Sequence, residues 1–265
     1  LVFENSRGDR TEKVYAYDEN SFTNALLKVT QTQKPVVYFT SGHGEYAIDD
    51  FEPGGMAAIA DAFKQLNYQV ELLNMVTVTD TLPADARAVI IAGPTQPFSD
   101  ASDTLVADYL ERGGRVLLLA DPNTPVGLTD TLKTWGLGME NNLVLDPARN
   151  YLGNTPIPVF TQFPNSPVTT NLERLGVFFP GARSLTSTLV PGKDLLALFT
   201  TTNEACAKTD FAKLQQAPQQ QLLCEAGDTP GSFVVGYLVE QTSPDANQDP
   251  RGRLVVIGNA AFLLN

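Results

Sequence analysis

Ser41-Gly42-His43-Gly44-Glu45 sets the chain's single histidine between two glycines, with a carboxylate two residues on. An imidazole titrates near neutrality and a carboxylate can orient it, so the pair is capable of acid–base chemistry. The flanking glycines let the backbone turn sharply and leave room for a ligand or another chain segment. Three more segments place polar groups directly after apolar runs: Gly93-Pro94-Thr95-Gln96, Asp121-Pro122-Asn123 and Gly258-Asn259. In an open α/β sheet, ligands bind outside the carboxyl ends of the strands. The candidate ligand-binding residues are therefore Gly42, His43, Gly44, Glu45, Thr95, Asp121, Asn123 and Asn259. Each also has a structural reading: His43 as a hydrogen-bonded brace of its turn, and Asp121-Pro122 as a turn capping nearby amides.

Several reaction types lack their parts. With one histidine, His-rich zinc sites are excluded and any nucleophile–histidine arrangement must run through His43. No G-x-S-x-G elbow occurs, and Gly192-Lys193-Asp194 lacks the spacing and hydroxyl of a phosphate-binding loop. Gly42-x-Gly44-x-x-Ala47 matches a dinucleotide fingerprint by letter. Asp49, Asp50, Glu52 and Pro53 intervene before any helix, however, and their carboxylates repel phosphate. The same acidic loop has the oxygen ligands a hard cation needs, without the EF-hand spacing, and reads more simply as a solvated loop. No metal, cofactor or catalytic residue is expected. Cys206 and Cys224 stand 18 positions apart, too far for C-x-x-C chemistry; they are candidates for a disulfide in an oxidising compartment, or else two free thiols.

These residues need elements to hold them. Gly8-Asp9 turns one short extended run into another, and Asn20 or Ser21 then caps a short helix, giving a leader over residues 1–33. Val36-Val37-Tyr38-Phe39 is an apolar run suited to a strand buried on both faces. Met56, Ile59, Ala60, Phe63 and Leu66 fall at helical spacing. Two more apolar runs, at Ala88–Ala92 and Val116–Ala120, flank a predicted helix over 100–111 that ends at Gly113-Gly114. A third helix is predicted around Thr129–Trp135. This alternation implies a doubly wound, mostly parallel α/β sheet within a domain spanning 34–265. Residues 150–188 have no clear period and are expected to wrap the sheet edge. The last third reads as strands at 195–199, 233–239 and 253–258. Residues 203–231, with Gln219-Gln220-Gln221, read as an insertion, and 241–252 as a polar hairpin loop. Trp135 and the pair Phe178-Phe179 are expected in the core.

The composition bounds the partners. The chain has 265 residues, 30 acidic and 18 basic, for a net charge of −12. Such a surface does not suit nucleic acid or an anionic lipid sheet, both of which need clustered Lys and Arg. No run of about 18 apolar residues is present to cross a bilayer. The ends, Leu1 and Leu263-Leu264-Asn265, suggest a soluble segment excised from something longer.

Taken in order, Asn24-Ala25-Leu26-Leu27, the G-H-G-E core at 42–45, Ala92-Gly93-Pro94, Gly113-Gly114-Arg115-Val116 and Gly252–Asn259 resemble the GldG-like auxiliary proteins of ABC-2-type transporters. The resemblance implies a flavodoxin-like or glutamine-amidotransferase-like fold. It also implies a position on the extracytoplasmic face of the cytoplasmic membrane, anchored by segments outside this chain, with an ABC permease and ATPase as partners. Related domains occur in intraflagellar-transport proteins with roles in assembly. The family often ends its last strand in a G-D-S-D-F type sequence; here Gly258-Asn259-Ala260-Ala261-Phe262 carries neither acid. Three functions follow: a non-enzymatic exporter auxiliary domain, a module binding a saccharide or other polar small molecule, and an amidotransferase-like hydrolase.

Overall fold

The computed structural model describes residues 1–31, 33–172, 174–216, 222–242 and 252–265. The predicted loop at 241–252 and the glutamine run at 219–221 thus lie largely outside the described residues.

The leader is a hairpin, β1 (Val2–Glu4) and β2 (Thr11–Lys13), followed by α1 (Glu19–Thr30). Asp18 caps α1, its carboxylate accepting from the Ser21 amide at 2.8 Å. The cap lies two residues before the predicted Asn20, because aspartate at that position reaches the first free helical amides equally well.

The next elements are β3 (Val36–Ser41), α2 (Ala57–Gln65), β4 (Gln69–Asn74), β5 (Ala86–Ala92), α3 (Asp100–Glu111), β6 (Arg115–Leu119) and α4 (Thr129–Thr134). Strand runs and helical periods fall where the sequence places them. Ser99 caps α3, accepting from the Ser102 amide at 3.2 Å. The first turn of α4 lacks its own side-chain cap, and buried Asp103 of α3 takes that role by accepting from the amides of Asp130 and Thr131 at 2.9 and 3.1 Å. That contact fixes α4 against α3.

Short strands dominate the remainder: β7 (Leu137–Met139), β8 (Leu143–Leu145), β9 (Asn150–Tyr151), β10 (Asn154–Phe160), β11 (Val177–Phe178), β12 (Leu185–Ser187) and β13 (Lys193–Thr200). They continue with β14 (Cys206–Lys208), α5 (Phe211–Leu214), β15 (Thr229–Pro230), β16 (Val234–Gln241) and β17 (Arg253–Ile257).

The main sheet has nine strands in the order β4-β3-β5-β6-β17-β16-β12-β7, with β13 also paired to β16. Pairings from β4 through to β17 are parallel. Those among β17, β16, β13, β12 and β7 are antiparallel. The sheet is therefore mixed, and the expected mostly parallel arrangement describes one half of it. Direction is not encoded in apolar periodicity. The short connection from β16 to β17 allows only the antiparallel sense, because a parallel pair needs a crossover.

Adjacent residues on the strands feed two cores. Val89, Ile91, Val116 and Leu118 join α3 and α4 on one face. Ile90, Ala92, Leu119 and Phe39 join α2 and the aromatic group Phe160, Phe179 and Phe199 on the other. Trp135 is fully buried, as expected, beneath the Lys193 ammonium at 3.7 Å from its ring. Phe178 is a correction: it is 43% exposed while Phe179 is at 0%. Successive side chains of extended backbone face opposite ways, so Phe178 at the end of β11 and Phe179 just after it cannot share one core.

Residues 150–188 are more ordered than a wrap around the edge. They build a three-stranded sheet, β11-β10-β9, and contribute β12 to the main sheet. Residues 203–231 supply β14 and β15, which with β8 form another three-stranded sheet. Cys206 and Cys224 form a disulfide there, with an S–S distance of 2.09 Å.

Candidate functional site

The segments after β3, β5, β6 and β17 meet at the carboxyl ends of the parallel strands. The His43 carbonyl accepts from the amides of Thr95 and Gln96, both at 2.9 Å. The Tyr46 amide donates to the Ala92 carbonyl at 3.0 Å, and the Tyr46 hydroxyl donates to Asp121 Oδ2 at 2.9 Å. Asp121 Oδ1 accepts from the Ala260 amide at 2.7 Å and from Asn259 Nδ2 and the Ala261 amide, both at 3.3 Å. One carboxylate thus ties three of the four segments together.

Two glycines are required by space as well as by turn geometry. Gly44 has φ +74°, and a Cβ there would lie 2.0 Å from Thr95 Oγ1. Gly93 has φ +63°, and a Cβ there would lie 2.3 Å from the Tyr46 ring. The second contact explains how Tyr46 reaches Asp121 across the rim.

His43 is buried, at 7% exposure. Its ring stacks on Phe98 with centroids 4.0 Å apart and planes 13° from parallel. Its backbone amide donates to Glu45 Oε2 at 2.7 Å. The ring Nδ1 lies 3.9 Å from Glu45 Oε1, beyond hydrogen-bond range, and neither atom has another partner among the described residues. The contact is ionic only when the imidazole is protonated. The anticipated acid–base pair is assembled, but its histidine is clamped against an aromatic ring and its carboxylate is enclosed.

Asn259 is fully buried. Besides Asp121, its Nδ2 donates to the carbonyls of Pro180 and Gly181 at 2.9 and 2.7 Å, while its Oδ1 accepts from the Phe262 amide at 3.1 Å. Both N–H donors of this side chain are thus taken by the fold, and its burial keeps it from a ligand. Asn123 is exposed at φ +59°, with its amide donating to Asn141 Oδ1 at 3.1 Å. Thr95 is exposed, its hydroxyl donating weakly to the Gly44 carbonyl at 3.3 Å. Gly42 and Gly44 present open backbone. The solvent-facing part of the rim is thus Gly42, Gly44, Thr95 and Asn123; in the inner part Asp121 and Asn259 are committed to the fold, while His43 Nδ1 and Glu45 Oε1 are buried without hydrogen-bond partners among the described residues.

Sequence reading missed Tyr46, Phe98 and Arg183. Burial, reinforced by the Asp121 carboxylate, pushes the Tyr46 hydroxyl up to about 12, so it stays a donor. Arg183 is buried beneath Asp121, its guanidinium donating to the carbonyls of Glu140, Asp121 and Thr124. Burial lowers its pKa from the ordinary arginine value. No spacing rule marks these three; an aromatic four residues after Gly42 was the one available hint.

The acidic loop is anchored by other groups. Asn265 Nδ2 donates to the carbonyls of Asp50 and Glu52, both at 2.7 Å, and Asn265 Oδ1 accepts from the Ala58 amide at 2.8 Å. Among the described residues, no group of three or more His, Cys, Asp or Glu side chains is placed to hold a metal ion. No helix among them is long and apolar enough to cross a membrane.

The fold has known counterparts. The mmIFT52 N-terminal domain superposes with a TM-score of 0.59 at 15% identity, over 86% of this chain and 88% of that one. A putative ThuA-like protein from Bacteroides uniformis ATCC 8492 gives a TM-score of 0.44 at 13% identity, over 87% and 84% of the two chains. At 15% identity the likeness to the mmIFT52 domain is one of fold alone. No curated protein sequence matches the chain. A family model does match, over residues 34–265, spanning the sheet and every rim segment just described, and the chain belongs to that family, the ABC-type uncharacterized transport system.

Proposed function

We propose that this chain is a non-enzymatic, extracytoplasmic auxiliary domain that binds the permease or ATPase-bearing assembly of an ABC exporter. Membership of the transport family supports the setting. The observation that carries the non-catalytic reading is that Asp121, Asn259 and the His43 carbonyl direct their hydrogen bonds to other parts of the fold. A hydrolase needs a nucleophile beside its base. Here the His43 ring faces Phe98, and both cysteines are joined in a disulfide on another sheet. That disulfide supports an oxidising compartment, and so a place outside the cytoplasm. The rim then acts as a rigid brace that fixes the relative positions of the loops.

The test is mild cross-linking of the full-length protein in its native membrane, followed by purification and mass spectrometry. Recovery of an ABC permease or ATPase is the expected result. Repeated recovery alone would overturn the reading, as would turnover of amide or ester substrates that His43→Ala abolishes.

A further inference from the structure

Strand β4 ends the main sheet and pairs with β3 alone. The amides of Gln69 and Met75 donate to the carbonyls of Pro35 and Ser41 at 2.9 and 3.0 Å, so the odd-numbered residues of β4 turn their backbone groups towards β3. Val70, Leu72 and Asn74 turn theirs outward. The Asn74 carbonyl accepts from the Thr77 amide at 3.1 Å, while among the described residues nothing bonds the N–H or C=O of Val70 or Leu72. Sheet edges are ordinarily blunted by shortness, lysine, proline or a bulge. The far end of this sheet follows that rule: β7 has three residues, and β13, which pairs with β16 alone, carries Lys193 and two breaks of register. By contrast, β4 runs six residues in unbroken register with β3 and has neither lysine nor proline.

The open edge is apolar at its middle. Leu72 is 53% exposed, on the same face as Val70, whose side chain packs in the core with α2. Glu71, the one charge on the strand, lies on the opposite face and accepts from Gln69 Nε2 at 2.9 Å. These positions select an occupant. A second copy pairing antiparallel closes on the first with twofold symmetry and uses up both edges, whereas a parallel repeat would continue as an open fibre. Outward groups can meet only outward groups, so even residues face even residues. An axis through Leu72 sets Leu72 opposite itself, Val70 opposite Asn74 and Glu71 opposite Leu73. An axis through Glu71 would set two carboxylates directly opposite, which is destabilising. One through Leu73 would carry Val70 past the end of the facing strand. In the register centred on Leu72, the Leu72 pair exchanges two hydrogen bonds, and each Val70 carbonyl accepts from the Asn74 amide of the facing strand. One exposed leucine covers the other, and the two Glu71 residues stand diagonally, about 7–8 Å apart.

We infer that β4 is a self-association edge: it pairs antiparallel with β4 of a second copy of this chain about a twofold axis at Leu72, joining the two main sheets into one. The match of Leu72 to itself, with both carboxylates off the axis, favours a second copy over an unrelated strand. The interface is small, so the dimer is weak and reversible and forms where copies are held close together. Each copy carries a net charge of −12, so the two repel at long range and salt assists the pairing. This pairing does not depend on the transporter reading above.

The experiment is sedimentation equilibrium of this chain over rising concentration. A reversible dimer with a Kd below about 1 mM is expected. Leu72→Lys should weaken it at least tenfold by setting two ammonium groups opposite each other. Its melting temperature should not change, because the side chain is exposed in the single chain. Glu71→Gln and added salt should each tighten the dimer. Cross-linking reads the register: the native cysteines are joined in their disulfide, so a short bis-maleimide reacts only at an introduced thiol. It should link Leu72→Cys to itself and should not link Gln69→Cys, whose copies fall at opposite ends of the paired strands. Monomers at every concentration, dimers indifferent to Leu72→Lys, or linkage at residue 69 in place of 72 would overturn the inference. So would a cross-link from residue 72 of the full-length protein to a transporter subunit with no self-linkage, which would make a foreign strand the occupant.

Discussion

At the carboxyl ends of the parallel strands, Asp121 accepts from Tyr46, Asn259, Ala260 and Ala261, and Asn259 uses both its amide atoms. In the β11-β10-β9 sheet, buried Asn154 Oδ1 has no donor among the described residues, and Tyr151, Leu152 and Phe178 meet solvent. Both regions draw on glycine-assisted turns and aromatic rings. In one, Asp121 and Asn259 are consumed in joining loops from strands far apart in sequence, while His43 Nδ1 and Glu45 Oε1 beside them have no partner among the described residues. In the other, groups of both kinds are left without partners. The difference teaches that Asp121 and Asn259, conspicuous in the sequence, serve the fold's internal brace, while the exposed apolar surface at Tyr151, Leu152 and Phe178 is made of residues that no motif singles out.

The contrast breaks down if the rim proves dispensable. Asp121→Ala removes an acceptor shared by several donors and leaves them buried, so it should cost about 3–5 kcal/mol by urea unfolding, the largest effect expected here. A cost near zero would mean that the rim braces nothing. Next comes the small sheet that holds the disulfide. The disulfide closes an 18-residue separation, and Cys206→Ser with Cys224→Ser should cost up to about 3 kcal/mol, also measured by urea unfolding.

Gly44→Ala sharpens the steric side. Its Cβ would collide with Thr95 Oγ1 at a positive φ, so the substitution should cost about 2 kcal/mol, and adding Thr95→Ala should restore part of that by opening the space. Calorimetry on both variants separates the collision from the backbone strain, because only the collision is relieved.

The tyrosine gives a pH test. Its folded value of about 12 lies above the unfolded value near 10, so folding favours the protonated phenol. Stability from this group is fully present below about pH 10 and is lost as pH rises towards 12. Tyr46→Phe should reduce that alkaline loss, read as the difference in urea midpoints between neutral and alkaline buffer. The smallest effect belongs to His43→Phe. It keeps an aromatic ring over Phe98 and removes an unpartnered nitrogen, so stability should shift by less than about 1 kcal/mol. A large loss would show the imidazole to be part of the brace, and unfolding midpoints decide it.

Much of the architecture was legible because it is local. Val36–Phe39, Ala88–Ala92 and Val116–Leu119 are continuous apolar runs. The spacing of Met56, Ile59, Ala60 and Phe63 is helical, and Gly113-Gly114 ends the next helix. The convergence of four loop segments followed from parallel strands sharing one end. The cysteine pair was visible as a candidate, while its partners in space, β8 and β15, were not.

What the amino-acid order determined by itself is the run of strands and helices up to α4, the strands β13, β16 and β17, the turn at Gly42–Glu45 and the acidic balance. These depend on neighbours within a few residues or on simple counts. Only the tertiary structure decided strand direction beyond β17, the burial of Asn259, the clamping of His43 by Phe98 and the exposure of Phe178. Each depends on which distant segment arrives alongside, and a side chain's chemistry is set by that neighbour: the same amide oxygen accepts from the Phe262 amide at 259 and has no donor among the described residues at 154.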